Sequence, residues 1–157
     1  MRIEFFQLID RITALNLTDL TIRAEAAVPE TSTIFEGHFP GYPLMPGVLL
    51  IEAMAQTSGW LIVARNRLER MPFLASVKEA KLRTFVVPGQ VLTIDAKLVH
   101  EGSGYAVAEA EIKCGGKPIC DAELTLRLMA FANPNFRANM EQMAARLGLP
   151  LEATVDG

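Results

Sequence analysis

Glu36-Gly-His-Phe-Pro-Gly-Tyr-Pro-Leu-Met-Pro-Gly-Val-Leu-Leu-Ile-Glu-Ala-Met-Ala-Gln56 decides how the chain is read, because its two halves obey different rules. In the first half, Pro40, Pro43 and Pro46 restrict the backbone and the glycines permit sharp bends, which makes a rigid loop carrying His38. In the second, Leu, Ala, Met and Gln favour helix, and from position 48 to about 67 the residues are apolar nearly all round. Such a helix must be enclosed by protein on most sides, which makes it the predicted centre of the fold. One carboxylate, Glu52, sits in it fourteen residues after His38. A histidine on a rigid loop and a carboxylate on an apolar helix form a candidate acid/base pair.

Working outward, the segments 6–12 and 21–28 read as a hairpin joined through Asn16 to Asp19, and four β-like segments follow the helix at 73–87, 91–100, 105–113 and 119–129. Leu92, Ile94, Ala96 and Leu98 share an even phase with Ala106, Ala108, Ala110 and Ile112 and with Ala122, Leu124, Leu126 and Leu128. A period of two places each set on one strand face, so three consecutive strands offer one apolar surface to the helix. A meander wrapped around a single helix is an α+β arrangement, and its open edge strands invite a second subunit. This domain is assigned to 1–132. Over 133–157 the pattern becomes that of a terminal helical extension packed on or beside it. Asn133-Pro134-Asn135 marks a start, Phe136, Met140, Met143 and Leu147 recur at helical spacing, and Gly148 and Pro150 mark a stop.

The net charge of −3 offers no basic face for nucleic acid. The amino terminus lacks the apolar stretch and cleavage site of a secretory signal, so a cytoplasmic location is expected. The run 48–64 carries Glu52 and Gln56 and reads as a core helix rather than a membrane span. Cys114 and Cys120 flank Gly115-Gly116-Lys117. Keeping even residues of both strands on one face calls for a three-residue loop, with Cys114 opposite Pro118 and Cys120 opposite Ile112. The thiols are then diagonal, a spacing that disfavours a disulfide. No metal-ligand cluster accompanies them, and no metal, nucleotide or flavin cofactor is expected.

Gly37-His38-Phe39-Pro40-Gly41, Pro43-Leu44-Met45-Pro46-Gly47-Val48 and Glu52-Ala53-Met54-Ala55-Gln56 together resemble the signature of the bacterial (3R)-hydroxyacyl-acyl-carrier-protein dehydratases, over about residues 5 to 130. Phe85-Val86-Val87-Pro88-Gly89 and the hairpin at 115–117 also match that family in place. The resemblance implies a hot-dog fold, an antiparallel sheet wrapped around a central helix, working as a dimer or a trimer of dimers. It implies loss of water from a 3-hydroxyacyl chain on acyl carrier protein to give the trans-2-enoyl thioester, in fatty-acid or lipid A acyl-chain biosynthesis. Two features depart from the family pattern: the chain starts almost at its first strand, where relatives carry an extra helix, and it adds the helical tail.

That reaction removes a weakly acidic proton from C2 and protonates the hydroxyl leaving C3. Neutral histidine, with an unperturbed pKa near ~6.5, suits the first task, which falls to His38. Glu52 is the proton donor, directly or through water. Its apolar neighbours favour the protonated form and the helix start favours the charged one. The resemblance puts His38 and Glu52 of one site on different subunits. Amides at a helix start suit the oxygen of the developing enolate, and Gly47 and Val48 occupy that place. Phe39 is a candidate substrate contact. Gln56, one turn after Glu52, either orients it or the loop or is a plain interior amide. Lys78, Lys81 and Arg83, then Arg65, Arg67 and Arg70, are candidates for docking the acidic carrier. His100, outside any motif, reads as structural. A hot-dog thioesterase and a non-catalytic acyl-binding protein are the alternatives.

Overall fold

The computed structural model describes residues 1–151; positions 152–157, the end of the predicted extension, lie outside the described residues. After a 3₁₀ turn at Ile3–Phe5, the chain forms β1 (Arg11–Asn16), β2 (Thr21–Ala27), α1 (Thr33–Gly37), α2 (Gly47–Asn66), β3 (Met71–Leu82), β4 (Val91–Glu101), β5 (Tyr105–Cys114), β6 (Lys117–Met129) and α3 (Pro134–Leu147). The strands make one antiparallel sheet in the order β1-β2-β4-β5-β6-β3. It wraps α2, giving the α+β hot-dog architecture that the resemblance implies.

Why the helix fits is visible in the register. Across the sheet, Ile22 pairs with Ala96, Ala96 with Ala110 and Ala110 with Ala122, while Leu98 faces Ala108 and Ala106 faces Leu126. These side chains are buried against the core. Alanines running across the strands leave a shallow trough for a helix backbone, and larger neighbours such as Ile94, Leu124 and Leu126 fill its flanks. From α2, Leu50, Ala53, Met54, Leu61 and Ala64 are buried, each large side chain contributing about 1.5–3 kcal/mol. The helix ends where Arg67 and Leu68 adopt left-handed backbone, and the Leu68 amide donates to the Val63 carbonyl at 2.9 Å. By length and composition α2 would suffice to cross a membrane, but 67% of its most apolar window is buried inside this protein.

The outer face of the sheet is charged. Glu111 pairs across with Asp95 on β4 and Asp121 on β6, and Glu109 stands opposite Glu123. Arg23 to Asp95 (2.7 Å) and Arg83 to Asp121 (2.7 Å) offset part of this repulsion.

Four expectations are corrected. Residues 6–10 do not belong to the first strand, which begins at Arg11; Leu8 and Ile9 are apolar because they pack into the core, while Phe6 stays exposed. The segment 73–87 leaves strand geometry after Leu82. The loop of the last hairpin is the two-residue turn Gly115-Gly116, both at positive φ (56° and 79°), with Cys114 opposite Lys117. Parity is restored by an irregularity that leaves Ile119 unpaired, so Lys113 faces Pro118 and Ile112 still faces Cys120. Both cysteines are free, and burial, with the charge of Asp121, pushes the Cys120 thiol up to about 12. Finally, α1 lies in what reads as irregular chain. Ser32 caps it, and Glu4 accepts hydrogen bonds from the Ser32 hydroxyl (2.7 Å) and the Thr33 amide (3.0 Å). Those bonds, the Ser32 hydroxyl first, hold the Glu4 carboxyl below its ordinary value. The tether they provide is present at neutral pH and lost as pH falls through that lowered value.

Among the described residues, one polar side chain in the core is orphaned: the Ser58 hydroxyl is buried without a hydrogen-bond partner. Ser58→Ala is expected to raise stability by about 1 kcal/mol, read as a higher denaturation midpoint at unchanged m-value.

Candidate active site

Backbone hydrogen bonds hold the loop around His38 on both sides. The His38 amide donates to Ile34 (3.0 Å), closing α1, and the Leu44 amide donates to the His38 carbonyl (2.8 Å). Phe39 and Tyr42 exchange amide-to-carbonyl bonds of 3.0 and 2.8 Å, and Met45 is pinned to Val86 at 2.8 Å. The peptide joining His38 to Phe39 is cis, and the two rings stack with centroids 4.1 Å apart. On the imidazole, Nδ1 lies 2.9 Å from the Leu44 carbonyl oxygen. A carbonyl has no hydrogen to give, so Nδ1 carries the proton, and Nε2 of the neutral ring is left with its lone pair available.

The start of α2 stands a few residues further on. Pro46 precedes the helix, and its carbonyl accepts from Leu49 (3.0 Å) and Leu50 (3.4 Å). The amides of Gly47 and Val48 have no acceptor among the described residues, as expected of the first positions of a helix. Val48 is 72% exposed, which leaves this end of α2 open to solvent. A Cβ on Gly47 would lie 2.4 Å from Cδ1 of Leu82, so glycine lets the end of β3 close over the helix start.

Glu52 lies one turn deeper, half-buried. Gln56 donates to its Oε1 at 3.2 Å and to the Phe6 carbonyl at 2.7 Å, and accepts from the Leu8 amide at 3.2 Å. Gln56 thus contacts Glu52 and fastens the amino-terminal segment to α2. Glu52 borders a cavity of about 640 Å³ whose α2 wall is the stripe Glu52, Ala55, Gln56, Gly59, Trp60 and Val63. The remaining walls come from the amino-terminal segment, the start of β3, Leu126 of β6 and α3, and they are mainly apolar. A cavity of this size and lining suits a small apolar ligand with one polar end.

His38 is not among the residues lining that cavity. Within one chain, therefore, this cavity has only one of the two candidate catalytic groups on its wall. Around His38 and the start of α2 lie exposed apolar side chains: Tyr42 (61%), Phe85 (69%) and Leu82, with Phe73, Leu74 and Val77 further along the unpaired edge of β3. Of the basic candidates, Lys78 and Lys81 are exposed on that edge strand and have no ion-pair partner among the described residues, whereas Arg83 is committed to Asp121. Arg65 pairs with Glu101 at 3.4 Å. His100 meets the Tyr105 hydroxyl at 3.2 Å, a structural contact. Sequence reasoning did not reach Phe6, Ile9 or α3 as parts of the cavity, because nothing local marks a residue that meets α2 from so far along the chain.

Replacing Gln56 by Leu leaves the Leu8 amide and the Phe6 carbonyl unpaired. A loss of about 1–3 kcal/mol is expected, with hydrogen exchange at Leu8 accelerating in the variant.

The chain has relatives among known proteins. A family model described as the FabA-like domain matches residues 2–123. The 3-hydroxyacyl-(acyl-carrier-protein) dehydratase FabZ of Francisella philomiragia is 37% identical over 131 residues, which cover 76% of this chain and 80% of that protein. The protein of the same name from Francisella tularensis subsp. novicida is 36% identical with the same coverage. Among solved structures, the dehydratase heterocomplex ApeI:P of Xenorhabdus doucetiae aligns with a TM-score of 0.64 at 19% identity, covering 83% of this chain and 86% of that one. A hypothetical thioesterase of Streptococcus pneumoniae TIGR4, solved with coenzyme A, gives 0.60 at 20% identity, covering 78% and 88%. The structural neighbours share the fold; the sequence relatives and the family model go further, and the chain belongs to the FabA-like family.

Proposed function

We propose that the protein is a soluble, cytoplasmic dehydratase of fatty-acid biosynthesis, which removes water from (3R)-3-hydroxyacyl chains on acyl carrier protein, and that it works as a homodimer. The observation that carries the mechanism is the bond from His38 Nδ1–H to the Leu44 carbonyl, which aims a basic Nε2 away from the loop. His38 Nε2 takes the proton from C2, electrons move to form the C2–C3 double bond, and the C3 hydroxyl leaves with a proton from Glu52 as water. The charge that gathers on the thioester oxygen meets the free amides of Gly47 and Val48. His38 then returns its proton and Glu52 regains one through solvent, so the cycle needs no cofactor.

A homodimer supplies what one chain lacks. Pairing along the free edge of β3 covers the apolar side chains there and brings His38 of one protomer to Glu52 of the other, making two sites. Phe39, stacked on the imidazole, borders the substrate at the entrance. Lys78 and Lys81 are left to meet the acidic carrier, with Arg83 contributing only if it leaves Asp121.

Incubation with 3-hydroxydecanoyl carrier, followed by mass spectrometry, is expected to show loss of one water, with His38→Ala and Glu52→Gln each lowering kcat by about a hundredfold or more. Release of free acid would establish a thioesterase instead, and binding without turnover an acyl-binding protein. Charge reversal of Lys78 and Lys81 together is expected to raise KM for the carrier-linked substrate more than for the same acyl group on N-acetylcysteamine, an effect that shrinks at high salt.

A further inference from the structure

The helix α3 lies beyond residues 2–123 that the family model matches, yet it forms a wall of the cavity that Glu52 borders. Resting on the dehydratase reading, we infer that α3 is the element that sets acyl chain length, with Met140 and Met143 as its measuring residues.

The helix is held in place from both ends. Asn133 caps its start, accepting from the Phe136 amide at 2.8 Å, and Arg137 Nε donates to the Leu68 carbonyl at 3.1 Å, just past the end of α2. At its other end Gly148 is left-handed (φ 79°) and approaches the Ile12 carbonyl of β1, while Ala144 and Leu149 are buried in the core. Between these anchors, Met140, Met143 and Leu147 face the cavity. Spacings of three and four put them on one helix face, while Asn139 is exposed on another.

Direction follows from the opposite wall. From Glu52 to Val63 the α2 stripe runs about 16 Å at ~1.5 Å per residue, and the reacting carbons must lie at its Glu52 end. Ala55 and Gly59 keep that stripe open for an extended chain. Because Arg137 is tied to Leu68, two residues past α2, Met140, less than a turn later, stands toward the far end, where the methyl terminus of the acyl chain arrives. Methionine is unbranched and adaptable, so the wall yields to some lengths while resisting longer ones.

The test is a competition in which the enzyme receives 3-hydroxybutyryl, 3-hydroxydecanoyl and 3-hydroxypalmitoyl groups on one carrier, and relative kcat/KM is read from enoyl products. Met140→Trp should lower the long-to-short ratio about tenfold and Met140→Ala should raise it, with Met143→Trp and Met143→Ala giving the same signs. Asn139→Ala should keep the wild-type ratio. If the variants at both methionines are folded and active with the wild-type ratio, the inference is overturned and the dehydratase reading stands. If wild type releases no water from any substrate, the dehydratase reading falls and takes the inference with it.

Discussion

A helix with no polar side cannot rest on a surface; it has to be surrounded, and everything else in this protein is arranged around that demand. The sheet answers it on one side with alanines that let α2 sink close to the strands. On the other side the cover is assembled from unrelated pieces: the amino-terminal segment, the first residues of β3, and α3. Such a patchwork does not close completely, and the gap it leaves is the cavity beside Glu52. Packing and ligand space are thus two aspects of one enclosure problem.

The same helix also carries the polar groups of the site. Its free amides at Gly47 and Val48 come from the geometry of a helix start, and Glu52 is placed one turn below by sequence spacing alone. Fixing α2 in its trough therefore fixes the amides and the carboxylate relative to each other. His38 is set independently, by α1 and the bonds to Leu44. The two are thus separately rigid units, and in the proposed reaction the assembly of chains matters as much as the fold of one.

Much of this was legible in the sequence because it depends on local periodicity. The extent of α2, the even phase of β4, β5 and β6, and the capping signals of α3 all follow from short-range pattern. The failures have a common cause. Two glycines at positive φ and an unpaired Ile119 reproduce the parity of a three-residue loop, so alternation alone could not choose between them. Residues 6–9 look like strand because apolar chain that seals a core and apolar chain that joins a sheet have similar composition. Arg83 reads as a free cation until its neighbour across the strands, Asp121, is known. Gln56 has several plausible partners in sequence, and only the fold brings Phe6 and Leu8 to it.

The carboxylates on the outer sheet face have a consequence for how copies of the protein meet. Glu111 between Asp95 and Asp121, and Glu109 against Glu123, weaken the sheet slightly from within. These carboxylates alternate with cations, Lys97 opposite Glu109, Lys78 opposite Glu123 and Arg23 and Arg83 on Asp95 and Asp121, so a second sheet laid flat on this face would have to match a mosaic of both signs or bury charges unpaired. Stacking of one sheet upon another, the route by which flat β surfaces aggregate, is thereby disfavoured. At a strand edge the backbone groups can still pair, and such pairing fixes both orientation and register, so the charges of the outer face act as a traffic rule for assembly.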